Sequence, residues 1–159
     1  MIFVTVGEQL PFDRLIRAVD QWASKQQREV FAQIGRSAYR PRHIYYKAFM
    51  EQIEFRQKMQ EAQLIVAHAG MGTIITALEM ELPIIVMPRR AAFGEHRNDH
   101  QIDTAKRLSS LSYVSVAFDE IELGQKLSQM ENEGGKQETR NKINLSPLLI
   151  KDIRDFILN

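Results

Sequence analysis

The residues best suited to chemistry lie between Leu64 and Gln101. An apolar run, Leu64 to Ala67, reaches His68, and Ala69-Gly70-Met71-Gly72-Thr73 follows at once. Two glycines one residue apart permit backbone conformations closed to other residues and let a ligand come close to the main chain. With a helix starting there, the free N–H groups of Gly72, Thr73 and Ile74 point out of its first turn, where the macrodipole favours an anion. A phosphate or diphosphate suits that position. A tight strand-to-helix turn with Thr73 as a plain N-cap accounts for the same residues without a ligand, and the glycines alone leave both readings open. A second polar group follows in the sequence: Arg89-Arg90, then Glu95-His96-Arg97-Asn98-Asp99-His100-Gln101.

Several chemistries do not fit these residues. No Lys-Ser/Thr pair follows the second glycine, so the turn is not a P-loop. Gly70-x-Gly72 lacks a third glycine at position 75 and lies mid-chain, and no GxGxxG follows the lone Gly7. A dinucleotide cofactor is therefore not expected. His96 and His100 stand four residues apart with Glu95 and Asp99 beside them, a spacing that places two imidazoles on one helical face as metal ligands. The glutamate is not in the HExxH position, however, and a loop and helix cap made from Asn98 and Asp99 explains the cluster equally simply. No metal site is expected.

The elements that must position these groups can be read on either side of them. Ile74, Ile75, Leu78 and Leu82 recur at helical spacing after the glycines, and Pro83 separates them from a second apolar strand, Ile84 to Met87. Strand, turn, helix and strand make a βαβ unit with its polar groups beyond the carboxyl ends of the strands, where open α/β sheets bind ligands. Upstream, Ile2 to Val6 reads as a buried parallel strand ending at Gly7. Pro11 suits a first helical position. Phe12, Leu15, Ile16, Val19, Trp22 and Ala23 then trace one helical face, with Arg14, Arg17, Asp20 and Gln21 opposite. Val30 to Ile34 is a second strand, and Arg36 to Arg42 a basic loop that reads either as a solvated turn or as an anion or partner patch. His43 to Phe49 is a short strand. Glu51 to Ala62 is a helix with Ile53, Met59 and Ala62 inward. Asp99 to Leu111 is a helix burying Ile102, Ala105 and Leu108. Tyr113 to Phe118 is a strand, and Asp119 caps a helix through about Met130 that ends at Glu133-Gly134-Gly135. Residues 136–145 are polar and without period, a flexible loop, and Ser146-Pro147 launches a last helix over 146–158. Six strands alternating with helices define an α/β class with a Rossmann-like parallel sheet and flanking helices.

The chain has 159 residues, enough for one domain, 1–159, with a core of its own. Hydrophobic residues make up 44% and charged residues 26%, the balance of an ordinary globular protein. A net charge of +1 argues against nucleic acid as a partner. The absence of cysteine excludes disulfide and thiolate chemistry and is compatible with a reducing cytoplasm. MIFVTVG is too short and uncharged for a signal peptide, and no apolar run approaches the roughly 20 residues that span a bilayer.

Several ordered stretches together resemble a known family: IFVTVG (Ile2–Gly7), PFDRLI (Pro11–Ile16), QIG (Gln33–Gly35), HAGMGT (His68–Thr73), PIIVMPRR (Pro83–Arg90) and GEHRNDHQ (Gly94–Gln101). They are similar to the family-28 glycosyltransferase C-terminal domain, in particular to the small catalytic subunit of split, two-chain glycosyltransferases of exopolysaccharide or dolichol-linked oligosaccharide synthesis. The resemblance covers nearly the whole chain apart from the polar loop near Gly135. It implies the C-terminal, donor-binding half of a GT-B enzyme divided between chains. A membrane-associated partner subunit would supply the acceptor half and recruit this cytoplasmic chain to the inner face of the membrane. By the same resemblance the donor is a UDP-sugar, and no cofactor beyond it is implied. The turn at His68, Gly70, Met71, Gly72 and Thr73 would present main-chain N–H groups to the diphosphate. Gly7 and its loop would approach the donor, and His100 and Gln101, with Asn98 and Asp99 before them, would face the sugar. The stretch from Phe49 to Ile53 would lie near the uracil base. Two positions depart from the family pattern. Thr76 stands where a glutamate commonly holds the ribose, with Glu79 one helical turn on as a substitute, and Glu8 stands where Thr or Ser commonly follows the glycine.

The implied reaction moves a sugar from UDP to a hydroxyl of a lipid-linked acceptor with inversion at the anomeric carbon. Charge developing on the leaving UDP would be met by a helix N-terminus and a cation, Arg90 or Arg89. Their alternative is a solvated or partner-facing pair. The general base is expected in the other half. His68 is expected to shape the glycine turn. Two rival readings stand beside the enzyme: a non-catalytic nucleotide-sugar-binding subunit that activates a partner, and an epimerase or hydrolase acting alone. Half an enzyme should expose apolar surface, and Trp22 with Leu149, Ile153 and Phe156 are candidates for it, so self-association in isolation is expected.

Overall fold

In a computed structural model the described residues are 1–111, 114–133 and 147–158. They form one six-stranded, wholly parallel sheet in the order β3-β2-β1-β4-β5-β6. The strands are β1 (Ile2–Thr5), β2 (Val30–Gln33), β3 (Tyr45–Lys47), β4 (Leu64–His68), β5 (Ile84–Met87) and β6 (Val114–Val116). The helices are α1 (Asp13–Ala23), α2 (Gln52–Glu61), α3 (Met71–Glu79), α4 (His100–Leu108), α5 (Glu120–Glu133) and α6 (Pro147–Leu158), with a short 3₁₀ turn at Ala91–Phe93. The chain winds outward from β1 to β3, then returns to β4 beside β1 and continues to β6. The order therefore reverses between β1 and β4, which is where doubly wound sheets open a ligand crevice.

The apolar runs β1, β4 and β5 are buried on both faces, as parallel strands covered by helices must be. Alternate residues feed two cores. Ile2 and Val4 of β1 pack with Leu15, Ile16 and Val19 of α1 and with Leu123 and Leu127 of α5. Phe3 packs on the opposite face with Met59 of α2, Ile74 and Leu78 of α3, Leu108 of α4 and Ile153 of α6.

Several expectations need correction. α1 starts at Asp13 and not at Pro11, because Phe12 keeps a non-helical backbone (φ −141°, ψ 59°) and is the N-cap. Its ring is fully buried beneath the guanidinium groups of Arg14 and Arg89, 5.5 and 5.2 Å from its centroid. Asp20, expected on the solvent face, is 1% exposed. It accepts hydrogen bonds from the Tyr39 hydroxyl (2.7 Å) and from the amides of Arg42 and His43, so it clamps the basic loop onto α1. Burial disfavours its charge, but those donors prevail and hold its pKa below the usual carboxylate value. In α2, Ile53 points outward, and Phe55 takes the inward place edge-on to Phe3 at 5.3 Å. In α4, Gln101 and Thr104 join Ala105 and Leu108 on the buried face, while Ile102 is only partly covered. Asp119 does cap α5, accepting from the Glu122 amide at 2.8 Å. The loop expected at 136–145 lies outside the described residues.

Candidate functional site

The site is built where β1 and β4 end side by side. Gly7, with φ +75°, turns the chain after β1, a conformation that disfavours any side chain. Beneath it, the Thr5 hydroxyl donates to Gln33 Oε1 at 2.6 Å, and Gln33 Nε2 donates to the Gly7 carbonyl at 3.4 Å. Both side chains are buried, so this pair fixes the height of the loop from below. Nothing in the strand pattern marked Thr5 and Gln33 for this. Their polarity within otherwise apolar runs is the signal that was there to read.

His68 closes β4. Its Nδ1 receives two donors at 3.2 Å, Nη1 of Arg89 and Nε2 of Gln101. Gln101 is locked in that orientation because its Oε1 accepts the Arg89 amide at 3.1 Å. Burial, with the charge of Arg89 and then of His96 behind it, pushes the His68 pKa down to about 3, so the ring is neutral. Arg89 is itself buried, and its Nη2 donates to the carbonyls of Val6 (2.7 Å) and Leu10 (2.6 Å). Burial lowers its pKa to about 10, partly opposed by Glu95, so it remains a cation at neutral pH. One guanidinium thus ties the end of β1 to the end of β4.

The two glycines of the turn serve different ends. Gly70 has an ordinary extended backbone (φ −93°, ψ 133°), but a Cβ there would overlap the His68 imidazole. Space for the ring, and not special dihedral angles, is what the position requires. At Gly72 a Cβ would meet nothing within 4 Å among the described residues, which give no steric reason for a glycine. Gly70 is the N-cap of α3, and Thr73 sits inside the first turn, which corrects its reading as a cap. Ile74 N–H bonds the Gly70 carbonyl at 3.3 Å, so the free amides are those of Met71, Gly72 and Thr73. Among the described residues no partner meets these three, and no acidic side chain lies in the first turn.

The remaining expected residues surround this mouth in different ways. Thr76 returns its hydroxyl to the Gly72 carbonyl (2.9 Å) and, with Met71, Gly72, Ile75, Glu79 and Arg154 of α6, lines an open groove of about 380 Å³ along α3. Arg90, expected as the catalytic cation, donates Nη2 to the Phe118 carbonyl at 2.8 Å. Asn98 and Asp99 brace the loop after β5, accepting from the amides of His100 (3.0 Å) and Ala91 (2.9 Å). His96 precedes α4, where its Nδ1 faces the Asn98 amide at 3.4 Å, while His100 starts the helix and is exposed. The i, i+4 pairing on one helical face is therefore not formed. Among the described residues no three metal-ligating side chains converge. Gln101, expected to face a sugar, is 7% exposed and joined to Arg89 and His68. Glu95 is another residue missed. It is buried, pairs with Arg14 through two 2.9 Å contacts, and accepts the Arg90 amide at 3.0 Å, so it pins the loop against α1. Glu8 is exposed, and Phe49 and Ile53 are exposed just beyond β3. Trp22 donates to Ser128 of α5 at 3.0 Å and Ile153 is buried, so neither is free surface; Phe156 is 47% exposed. No described helix is long and apolar enough to cross a membrane.

A doubly wound parallel sheet flanked by helices, with open helix amides at its switch point, defines a Rossmann-like α/β domain. Residues 1–155 match the glycosyltransferase family 28 C-terminal domain, and the chain belongs to that family. It is 30% identical over 118 residues to the human UDP-N-acetylglucosamine transferase subunit ALG13, which covers 67% of this chain but only 10% of that protein. The chain thus spans about a tenth of the length of this relative. Among solved structures it resembles ALG13 (TM-score 0.57, 16% identity, 96% of both chains). It also resembles MurG of Acinetobacter baumannii (TM-score 0.62, 18% identity, 98% of this chain and 49% of that one). The expected fold class, equivalent to the C-terminal half of a GT-B glycosyltransferase, is the fold found.

Proposed function

We propose that this glycosyltransferase-family chain binds a UDP-sugar and, with a membrane-associated acceptor-binding subunit, transfers the sugar with inversion to a lipid-linked acceptor in polysaccharide synthesis. The observation that carries this reading is the set of amides of Met71, Gly72 and Thr73 that no described residue pairs, opening at Gly72 onto space the described residues leave empty. A diphosphate seated there completes the helix end and meets its positive pole. As the bond to the sugar breaks, the leaving UDP gains charge that the fixed amides stabilise without reorganising. Arg89 adds a buried positive charge behind His68, while Arg90 is partly exposed and His100 exposed. The groove past Thr76 to Glu79 has room for the nucleoside. The relative's designation as a UDP-N-acetylglucosamine transferase subunit makes UDP-N-acetylglucosamine the first donor to try, and its subunit nature supports a partner chain. No cofactor besides the donor enters this scheme. Recruitment to the cytoplasmic face of the membrane would follow from the partner.

Calorimetry with UDP, UDP-glucose, UDP-N-acetylglucosamine and NAD, with and without chelator, tests the donor assignment. Binding of the uridine compounds and not of NAD is expected; tight NAD binding alone refutes it. Activity of the chain with its partner, lost in His100→Ala without loss of folding, separates the enzyme from a non-catalytic donor-binding subunit.

A further inference from the structure

The pair Arg89 and Gln101 does more than tie strands together. Both present N–H groups to His68 Nδ1, and a guanidinium has no acceptor to offer. The amide of Gln101 cannot turn over, since its oxygen is held by the Arg89 main-chain N–H. Nδ1 is therefore the lone-pair nitrogen, and the ring hydrogen is on Nε2. That nitrogen has no partner among the described residues. It lies at the floor of the mouth, where a Cβ on Gly7 would come within 3.1 Å of it and a Cβ on Gly70 would overlap the ring.

We propose that Arg89 is a positioning residue that, with Gln101, fixes His68 as a neutral, Nε2-protonated donor aimed into the mouth between Gly7 and Gly70. Where an anion sits on the amides of Met71–Thr73, as in the donor reading on which this step rests, His68 supplies a further N–H from the strand side. The donor stays in place through the physiological range because the ring does not gain a second proton there. Arg89 and His96 are the charged or titratable groups that act on the ring, and Glu95 acts on Arg89 in turn. A free histidine would instead exchange tautomers and titrate near neutrality. In the Arg89→Met variant the ring loses the opposing charge of Arg89 and its pKa should rise, while burial still holds it below the free value.

The test is nitrogen-15 NMR of the imidazole in the full chain. A pyrrole-type Nε2 and a pyridine-type Nδ1, unchanged between about pH 5 and 8, are expected. Arg89→Met should raise the pKa of the ring and, with one of the two donors at Nδ1 gone, admit a fraction of the Nδ1-protonated tautomer. Arg89 also holds two carbonyls, so Gln101→Glu provides a near-isosteric second variant. Its carboxylate accepts at Nδ1, which should move the hydrogen to Nδ1 and weaken UDP binding by roughly tenfold or more, the worth of a hydrogen bond to a charged group. A pyrrole-type Nδ1 in the unaltered chain, or titration near pH 6.5, overturns the proposal even if UDP binds. Absence of UDP binding with the expected tautomer intact overturns the donor reading and leaves the tautomer assignment standing.

Discussion

The strand side and the helix side of the turn after β4 are built on opposite principles. On the strand side, His68, Arg89 and Gln101 hold one another and the carbonyls of Val6 and Leu10, within a buried network. On the helix side, three amides have no partner among the described residues, and Gly72 borders empty space. Side chains that bond one another fix geometry, whereas main-chain groups left open at a helix end are free to bind something else. Gly70 and Gly72, one residue apart, belong to different sides of that division.

Gly70→Ala should do the most damage. The added Cβ meets an imidazole that two hydrogen bonds hold in place, so the ring cannot move aside cheaply. Thermal or urea unfolding should register a loss of about 1–3 kcal/mol, with UDP affinity falling as well. An unchanged midpoint would mean that the ring is free to swing and the strand side is not rigid.

Asp20→Asn offers a comparison with the other basic stretch, Arg36 to Arg42. There the loop is clamped by buried Asp20, which gathers the Tyr39 hydroxyl and the amides of Arg42 and His43, and by Asp13, which holds Ser37 and Ala38. Weakening that clamp should cost about 1–3 kcal/mol and leave UDP binding unaltered, as calorimetry of the variant can check. A large loss of affinity would join this loop to the site.

Acid should act through His68. Its folded pKa, about 3, lies below the unfolded value near 6.5, so the unfolded chain takes up the proton first. The stability His68 contributes is complete above about pH 6.5 and is lost as pH falls toward 3. The difference in unfolding free energy between the chain and His68→Gln should therefore shrink between pH 7 and pH 5, in the range above carboxylate titration. A constant difference would show that the ring titrates alike in both states.

The smallest expected change in stability comes from Gly72→Ala. With space for a methyl group and a better helix former, it should leave stability unchanged or raise it by up to ~1 kcal/mol. UDP affinity should nonetheless drop by roughly tenfold, as if one charge-assisted hydrogen bond were lost. Retained affinity would remove the case for close approach of a ligand to this backbone.

Much of this was legible in the residues. The apolar runs of β1, β4 and β5 and the helical spacing of Leu15, Ile16 and Val19 follow from periodicity, because burial on both faces or on one stripe leaves a direct imprint on composition. The turn at Gly70–Thr73 was legible as a helix start next to a strand end. Less legible was which polar residue faces which way. Arg89 and Arg90 are adjacent and identical, yet one is buried behind His68 and the other reaches the Phe118 carbonyl near the surface. Asp20 and Gln101 read as solvent-facing or ligand-facing, and both are buried and bonded. Their partners come from loops far away in sequence, and local spacing carries no record of such contacts.

The amino-acid sequence by itself determined the six alternating strands and helices and placed the phosphate-sized turn between them. Tertiary structure alone decided that Gly7 and Gly70 flank one imidazole, that Arg89 bridges β1 to β4, and that the amides of Met71, Gly72 and Thr73 remain open. The physical reason is range. Periodic burial is written residue by residue along the chain, but a hydrogen-bond network exists only once β1, β4 and β5 have come together in the sheet.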